Sequence, residues 1–187
     1  MDAAVLAGGR NSRMNFRDKS LLDFKGKSFL ERIVSQLDSF DRVIIISNNK
    51  DNHLTSIKAD YYKDLVEGIG PLGGIYSALS KSDSSHIFIT SCDMPLIESE
   101  KVQLISSFNE YDIVMPVLNG KYEMLFALYS QNCLPQIEKM IKEKRYKIIG
   151  LFDDKTLSVK RIPIGEDFKA TLRNINTEKD YQNLRNC

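Results

Sequence analysis

The chain is short of most features that would commit it to a specialised class. Lys and Arg number 26 against 25 for Asp and Glu, a formal net charge of +1. No strong field is available to hold a long polyanion, so nucleic acid is not expected as a partner. No apolar run approaches the ~20 residues that a membrane span needs. Met1-Asp2 leads straight into a strand-like run and leaves no room for a secretory leader. Cysteine is scarce: Cys92, Cys133 and Cys187 are odd in number and far apart. They fit neither a disulfide framework nor a zinc site, and a reducing cytoplasm is the expected setting. The only histidines are His53 and His86, with none beside Cys92. Cys92 therefore reads as a small packing residue rather than a nucleophile. Internal repeats, low-complexity tracts and Pro/Gly-rich linkers are also missing. What remains is 187 residues, 42% hydrophobic and 27% charged, which suits one α/β domain over residues 1–187.

The first twenty residues hold the strongest local signal. Ala3 to Ala7 is a short apolar run that predicts a buried strand, and it stops at Gly8-Gly9. A polar loop with Arg10, Arg13, Arg17 and Lys19 follows. Glycine has no Cβ, so a phosphate can approach the main chain there. Arginine forks onto phosphate oxygens and lysine adds a compact charge. The stretch is thus suited to an anion. It is neither G-x-G-x-x-G nor G-x-x-x-x-G-K-[ST], which excludes the usual dinucleotide fingerprint and the P-loop.

Further along, Ser28 to Glu31 is a capping-box signature opening a helix that ends near Phe40. Arg42 to Ile46 predicts a second buried strand, apolar on both faces as a parallel sheet requires. Ser47-Asn48-Asn49 follows at its C-terminal end, where open α/β sheets place ligands, although a plain turn is the simpler reading. A weak helix is expected near Asp51 to Ile57 and a strand around Ala59 to Tyr62. Gly68, Gly70, Gly73 and Gly74 then crowd the loop and first turn of a helix, with Pro71 at its first position. Glycine costs a helix roughly 1 kcal/mol relative to Ala, so something needs close approach. A nucleotide base or ribose fits that need, and so does a tight helix–sheet crossing.

Ser85 to Ser91 predicts a strand that delivers Asp93 at its C-terminal end, with Pro95 two residues on. A carboxylate facing an anion loop is suited to Mg²⁺, which takes its other ligands from phosphates and water. The alternative is that Asp93 caps the next helix. Helices are expected over Glu98 to Asn109 and Asn132 to Arg145, and strands over Asp112 to Val117, Glu123 to Tyr129 and Leu157 to Ile164. Lys139, Lys142, Glu143 and Lys144 read as a solvated face. Thr177 and Asp180 can cap a last helix. Just before it, Asn174 and Asn176 stand one residue apart and share a side of an extended segment.

Four of these stretches, in order, resemble the molybdenum cofactor guanylyltransferases. They are Leu6-Ala7-Gly8-Gly9 with Arg13-Met14-Asn15 and Asp18-Lys19, then Asp64 with Gly70-Pro71-Leu72-Gly73-Gly74, then Cys92-Asp93-Met94-Pro95, then Asn174-Ile175-Asn176-Thr177 with Asp180. Gly120, Glu123, Phe126-Ala127 and Tyr129 are similar to a hairpin over the acceptor side of that family's site. Asn15 departs from the family glycine but tolerates positive φ. The resemblance implies a single-domain, Rossmann-like three-layer sandwich of the nucleotide-diphospho-sugar transferase (GT-A-like) type, with a mostly parallel central sheet.

The resemblance also implies a reaction, GMP transfer from GTP to the terminal phosphate of molybdopterin with release of pyrophosphate. Leu6, Ala7, Gly8 and Gly9 would contact the nucleotide. Arg13 and Lys19 would neutralise the triphosphate, Asp93 would hold Mg²⁺, and Asp64 would read the nucleoside, with Glu67 as a competing carboxylate. Asn174 and Asn176 would face the acceptor. The implied partners are GTP, molybdopterin, and proteins of molybdenum cofactor biosynthesis or molybdoenzyme maturation. A CTP-dependent sister enzyme and a non-catalytic nucleotide-binding module stay open as alternatives.

Overall fold

Short runs of β-branched and small apolar residues form the middle of the sheet. In the computed structural model, which describes residues 1–8, 19–49 and 57–186, Asp2–Leu6 is β1 and is buried throughout. A two-stranded hairpin follows, Asp23–Phe24 (β2) with Lys27–Ser28 (β3). Helix α1 is Phe29–Val34. Its capping box forms as the sequence predicts: Ser28 Oγ accepts from the Glu31 N–H, and the Glu31 carboxylate accepts from the Ser28 N–H. The helix is shorter than expected, because the chain tightens into i→i−3 bonds from Gln36 to Ile33 and from Leu37 to Val34.

The remaining elements are β4 (Arg42–Ile46), β5 (Asp60–Tyr62), α2 (Pro71–Lys81), β6 (His86–Ser91) and α3 (Ser99–Ser106). They are followed by β7 (Ile113–Leu118), β8 (Lys121–Tyr122), β9 (Phe126–Ser130), α4 (Leu134–Lys142), β10 (Val159–Pro163) and α5 (Glu178–Arg185). The weak helix expected near Asp51 lies, but for Ile57, outside the described residues.

The main sheet has eight strands in the order β10-β7-β9-β6-β1-β4-β5, with β8 paired to β7. β10 runs parallel to β7, and β6, β1, β4 and β5 run parallel to one another. β9 is antiparallel to both β6 and β7, so the sheet is mixed but mostly parallel. The strand expected over Glu123 to Tyr129 begins only at Phe126, as β9, while Lys121–Tyr122 ahead of it pairs separately as β8. Between the two pairings stands Pro116 of β7, which has no N–H to offer a neighbour. β9 pairs with Ile113 and Val114 below it and β8 pairs with Val117 and Leu118 above it. The Glu123 N–H caps the Pro116 carbonyl between them at 3.0 Å.

Alternation along each strand sends side chains to two separate cores. Ala3, Val5, Ile45, Phe88 and Leu128 face α1 and α3. Ala4, Leu6, Ile44, Ile89 and Tyr129 face α2 and α4. Full burial of Leu72, Ile75 and Leu79 on α2 contributes about 1.5–3 kcal/mol each. The result is the three-layer sandwich that the resemblance implied. A third, smaller cluster of Leu22, Phe24, Phe29, Ile175 and Tyr181 docks α5 onto the β2–β3 hairpin. There the Tyr181 hydroxyl donates to the Asp23 carbonyl at 2.7 Å.

Candidate functional site

Because β1, β4, β5 and β6 are parallel and adjacent, their C-terminal ends open on one side of the sheet. Leu6 and Ala7 are buried there and Gly8 is exposed. The Ala7 N–H already donates to Ile46 O, and Leu6 O accepts from Cys92 N–H. The Ala7 N–H is therefore engaged by the sheet, and Gly8 is the first described residue past the ladder. A Cβ on Gly8 would meet no described atom within 4 Å. Gly9 and Arg13 lie outside the described residues.

Lys19 begins a short 3-10 turn, Lys19–Leu21, and its ammonium points into this opening. Its Nζ donates to Asn176 Oδ1 at 2.7 Å and lies 3.8 Å from Asp93 Oδ2. Both charged side chains are largely covered, 15% and 19% exposed. Asp93 sits in a turn just past β6, closed by Met94 N–H donating to Ser91 O. It does not cap the next helix, since the residue preceding α3 is Glu98. Asp93 O accepts from the Ile175 N–H at 2.8 Å, which pins the C-terminal segment against it.

Asp93 Oδ1 is the notable atom. It is buried and has no hydrogen-bond partner among the described residues. A buried carboxylate oxygen without a donor is costly unless a cation or ligand completes it. Among the described residues no group of three or more His, Cys, Asp and Glu could hold a metal ion. A divalent ion held by Asp93 would take few protein oxygens and find the rest on phosphates and water, a donor set that fits Mg²⁺.

Asn176 is held by the cap of α5. The Asp180 carboxylate accepts from the N–H groups of Asn176 and Thr177, and the Asp180 N–H donates back to Thr177 Oγ1. The Thr177 hydroxyl, with those N–H groups, keeps the Asp180 carboxyl below its usual range. Ile175 is fully buried, with half-buried Asn174 and Asn176 flanking it. Only Asn176 meets Lys19. Asn174 Nδ2 instead donates to Leu172 O at 3.4 Å.

Asp64 follows β5 and is anchored by its own surroundings. Its Oδ1 accepts from the Ser77 hydroxyl at 2.7 Å and from the Val66 N–H at 3.4 Å. Its N–H donates to Asn48 Oδ1, which joins the ends of β4 and β5. Ser77 is a residue that sequence reasoning passed over. It is fully buried on α2, one turn after Gly73, and also accepts from the Leu65 N–H. A serine on an otherwise apolar helix face was the available signal.

The glycines at the start of α2 are crowded by the chain itself. A Cβ on Gly73 would stand 2.7 Å from Val66 O and 3.2 Å from Asp64 Oδ1. A Cβ on Gly74 would stand 3.0 Å from the Leu6 side chain. Close approach at these glycines is made by the 63–70 loop and by β1, the tight helix–sheet crossing that the sequence allowed. Glu67 is exposed on the same loop. Beyond β8, burial pushes the Glu123 carboxyl upward, with Lys121 opposing.

The pattern described as the MobA-like NTP transferase domain matches residues 3–155. The chain belongs to that family. A Clostridium perfringens protein named as a probable molybdenum cofactor guanylyltransferase is 34% identical over 188 residues, covering 97% of this chain and 94% of the relative. A Carboxydothermus hydrogenoformans protein of the same name is 30% identical over 188 residues, covering 98% and 94%. The crystal structure of molybdopterin-guanine dinucleotide biosynthesis protein A from Archaeoglobus fulgidus superposes with a TM-score of 0.82, at 22% identity and 100% and 97% coverage. The MobA-like family membership makes the chain a nucleotidyltransferase. No helix among the described residues is long and apolar enough to cross a membrane.

Proposed function

We propose that the protein transfers GMP from GTP to the terminal phosphate of molybdopterin, forming the guanine dinucleotide cofactor and releasing pyrophosphate. The observation that carries the reading is the meeting of Lys19, Asp93 and Asn176 beside Gly8, with Asp93 Oδ1 left unpartnered among the described residues. The names of the full-length relatives supply the substrate class.

The acceptor phosphate oxygen attacks the α-phosphorus of GTP, and the bond to the bridging α–β oxygen breaks. The electron pair leaves with pyrophosphate. The acceptor is already an anion, so catalysis is chiefly positioning and charge neutralisation, and no strong base is needed. Lys19 neutralises the triphosphate and the departing pyrophosphate. Arg13 adds a second cation on the same reading. Asp93 would hold Mg²⁺, which when bound supplies further neutralisation of the phosphate charge. Asp64, fixed by Ser77, reads the nucleoside beside Asn48. Asn176 orients Lys19 toward the acceptor side, and Asn174 stands next to it. A cytoplasmic setting agrees with the buried thiols of Cys92 and Cys133. Partner proteins that deliver molybdopterin or take up the product belong to the same proposal.

The test is pyrophosphate release with Mg²⁺, using GTP, CTP, ATP and UTP separately, each with and without molybdopterin. The reading requires release with GTP and molybdopterin together. Release with CTP instead would overturn the guanine assignment, and no release from a sample that still binds nucleotide would overturn the transfer.

A further inference from the structure

A second basic site lies on the α1 side of the molecule. A cavity of about 210 Å³ is lined by Lys25 and Lys27 from the β2–β3 hairpin, Arg32 and Gln36 from α1, and Pro95. Among the described residues no acidic one lines it. Lys25, Lys27 and Arg32 have no ion pair at salt-bridge distance among the described residues, although the charge of Lys27 helps to keep Glu31 ionised. The Glu31 carboxylate is itself occupied by the Ser28 N–H and hydroxyl.

The geometry holds these cations together at a cost. Lys25 and Arg32 both stack on the Phe24 ring, with Nζ 5.1 Å and Cζ 4.8 Å from its centre. Lys25 has φ +54° and Gly26 has φ +80°, the two central positions of a two-residue hairpin. Such a turn favours Asn-Gly, and a lysine with positive φ is strained. Gln36 Oε1 accepts from the Ser99 N–H, so its amide NH₂ remains as a donor. Arg32 Nε reaches Pro95 O at 3.4 Å, on the segment that carries Asp93. Like charges gathered beside one apolar ring, with no carboxylate among the described lining residues, are stabilised by a shared anion.

We propose that this cavity is an anion site for a phosphoryl group, separate from the nucleotide site and independent of the transfer reaction. Phosphate matches it better than a carboxylate, because a dianion with several oxygens can accept from the arginine fork, the lysines and the amide at once. The phosphoryl group can be free or part of a phosphorylated molecule.

Amide NMR shifts of the full chain, titrated with inorganic phosphate, methyl phosphate, pyrophosphate and acetate, test the site. Saturable shifts confined to residues 25–36 and 95–97 are expected with phosphate, falling off as salt is raised. Matching affinity for methyl phosphate would assign the site to a phosphorylated molecule; binding of phosphate alone would assign it to the free anion. Lys25→Asn with Lys27→Gln removes two charges while giving the turn the residue it favours, so the fold should hold. That variant should bind phosphate at the pocket about tenfold more weakly or worse, with unchanged pyrophosphate release from GTP. The proposal is overturned if the pocket shifts are absent up to ~10 mM phosphate, if the variant keeps them, or if acetate binds as well.

Discussion

Replacing Lys19 by Met separates what its ammonium does for the reaction from what it does for the fold. The side chain fills similar space but loses the charge. In the resting protein the ammonium serves two acceptors, Asn176 Oδ1 at 2.7 Å and Asp93 Oδ2 at 3.8 Å. At an effective dielectric near 20, the gross attraction to Asp93 is about 4 kcal/mol, most of it offset by desolvation of the pair. Both acceptors keep some exposure, so water can take the place of the lost donor. The stability cost should therefore sit near 1 kcal/mol, the low end for an acceptor left unpaired. The reaction should lose more. A cation aimed at developing phosphate charge in a sheltered site contributes about 2.7–4 kcal/mol, or 10²–10³-fold in kcat. Lys19→Arg should recover only part of this, because a planar fork does not reproduce a compact ammonium between two oxygens. The assay is pyrophosphate release at saturating GTP and molybdopterin, with urea unfolding on the same samples. A fall in kcat of less than tenfold, or a loss of activity matched by a loss of fold, would refute the reasoning.

Three further outcomes follow from the same geometry. Asp93→Asn should abolish turnover while leaving the unfolding free energy from urea titration within about 1 kcal/mol of wild type, since Oδ1 makes no hydrogen bond among the described residues; wild-type-like activity would remove the metal assignment. Gly73→Ala should destabilise by up to about 2 kcal/mol and raise the KM for nucleotide, because the helix gain of ~1 kcal/mol is outweighed by a Cβ forced against Val66 O beside Asp64. Gly74→Ala meets a side chain rather than a carbonyl and should stay within about 1 kcal/mol of wild type; equal effects at the two positions, measured by urea unfolding and nucleotide titration, would contradict this.

Asp112 offers a pH test of stability. Burial pushes its carboxyl up, but the Ser158 N–H and the side chains of Ser130, Asn132 and Ser158 outweigh that and hold it at about 2, below its ordinary 3.8. A depressed carboxyl stabilises the fold above about pH 4 and loses that contribution as pH falls toward 2. Asp112→Asn should cost of order 1 kcal/mol at pH 7 after discount for solvent, and the gap to wild type should close between pH 4 and 2 in urea titrations. A gap that does not change with pH would show that the carboxylate charge is not what joins these strands.

Several parts of this protein were settled by short stretches of sequence. Buried strands at Ala3 to Leu6, Arg42 to Ile46 and His86 to Ser91 follow from short apolar runs, AAVL, VIII and IFI. The caps at Ser28–Glu31 and Thr177–Asp180 follow from groups three residues apart whose hydrogen bonds need no other part of the chain. Asp93 at a strand end was legible for the same reason. The tertiary structure decided the rest. The insertion of antiparallel β9 between β6 and β7 joins strands far apart in the chain, a pairing that only the folded sheet shows. Gly73 and Gly74 are crowded by Val66 and by Leu6, neighbours that only the folded chain brings to them. Of two asparagines with the same spacing and surroundings, Asn176 meets Lys19 and Asn174 does not. That contact spans 157 residues of chain. Local periodicity and capping act through the backbone over a turn or two. A contact at that range is set by which faces pack together, and packing complementarity leaves no mark on either sequence segment alone.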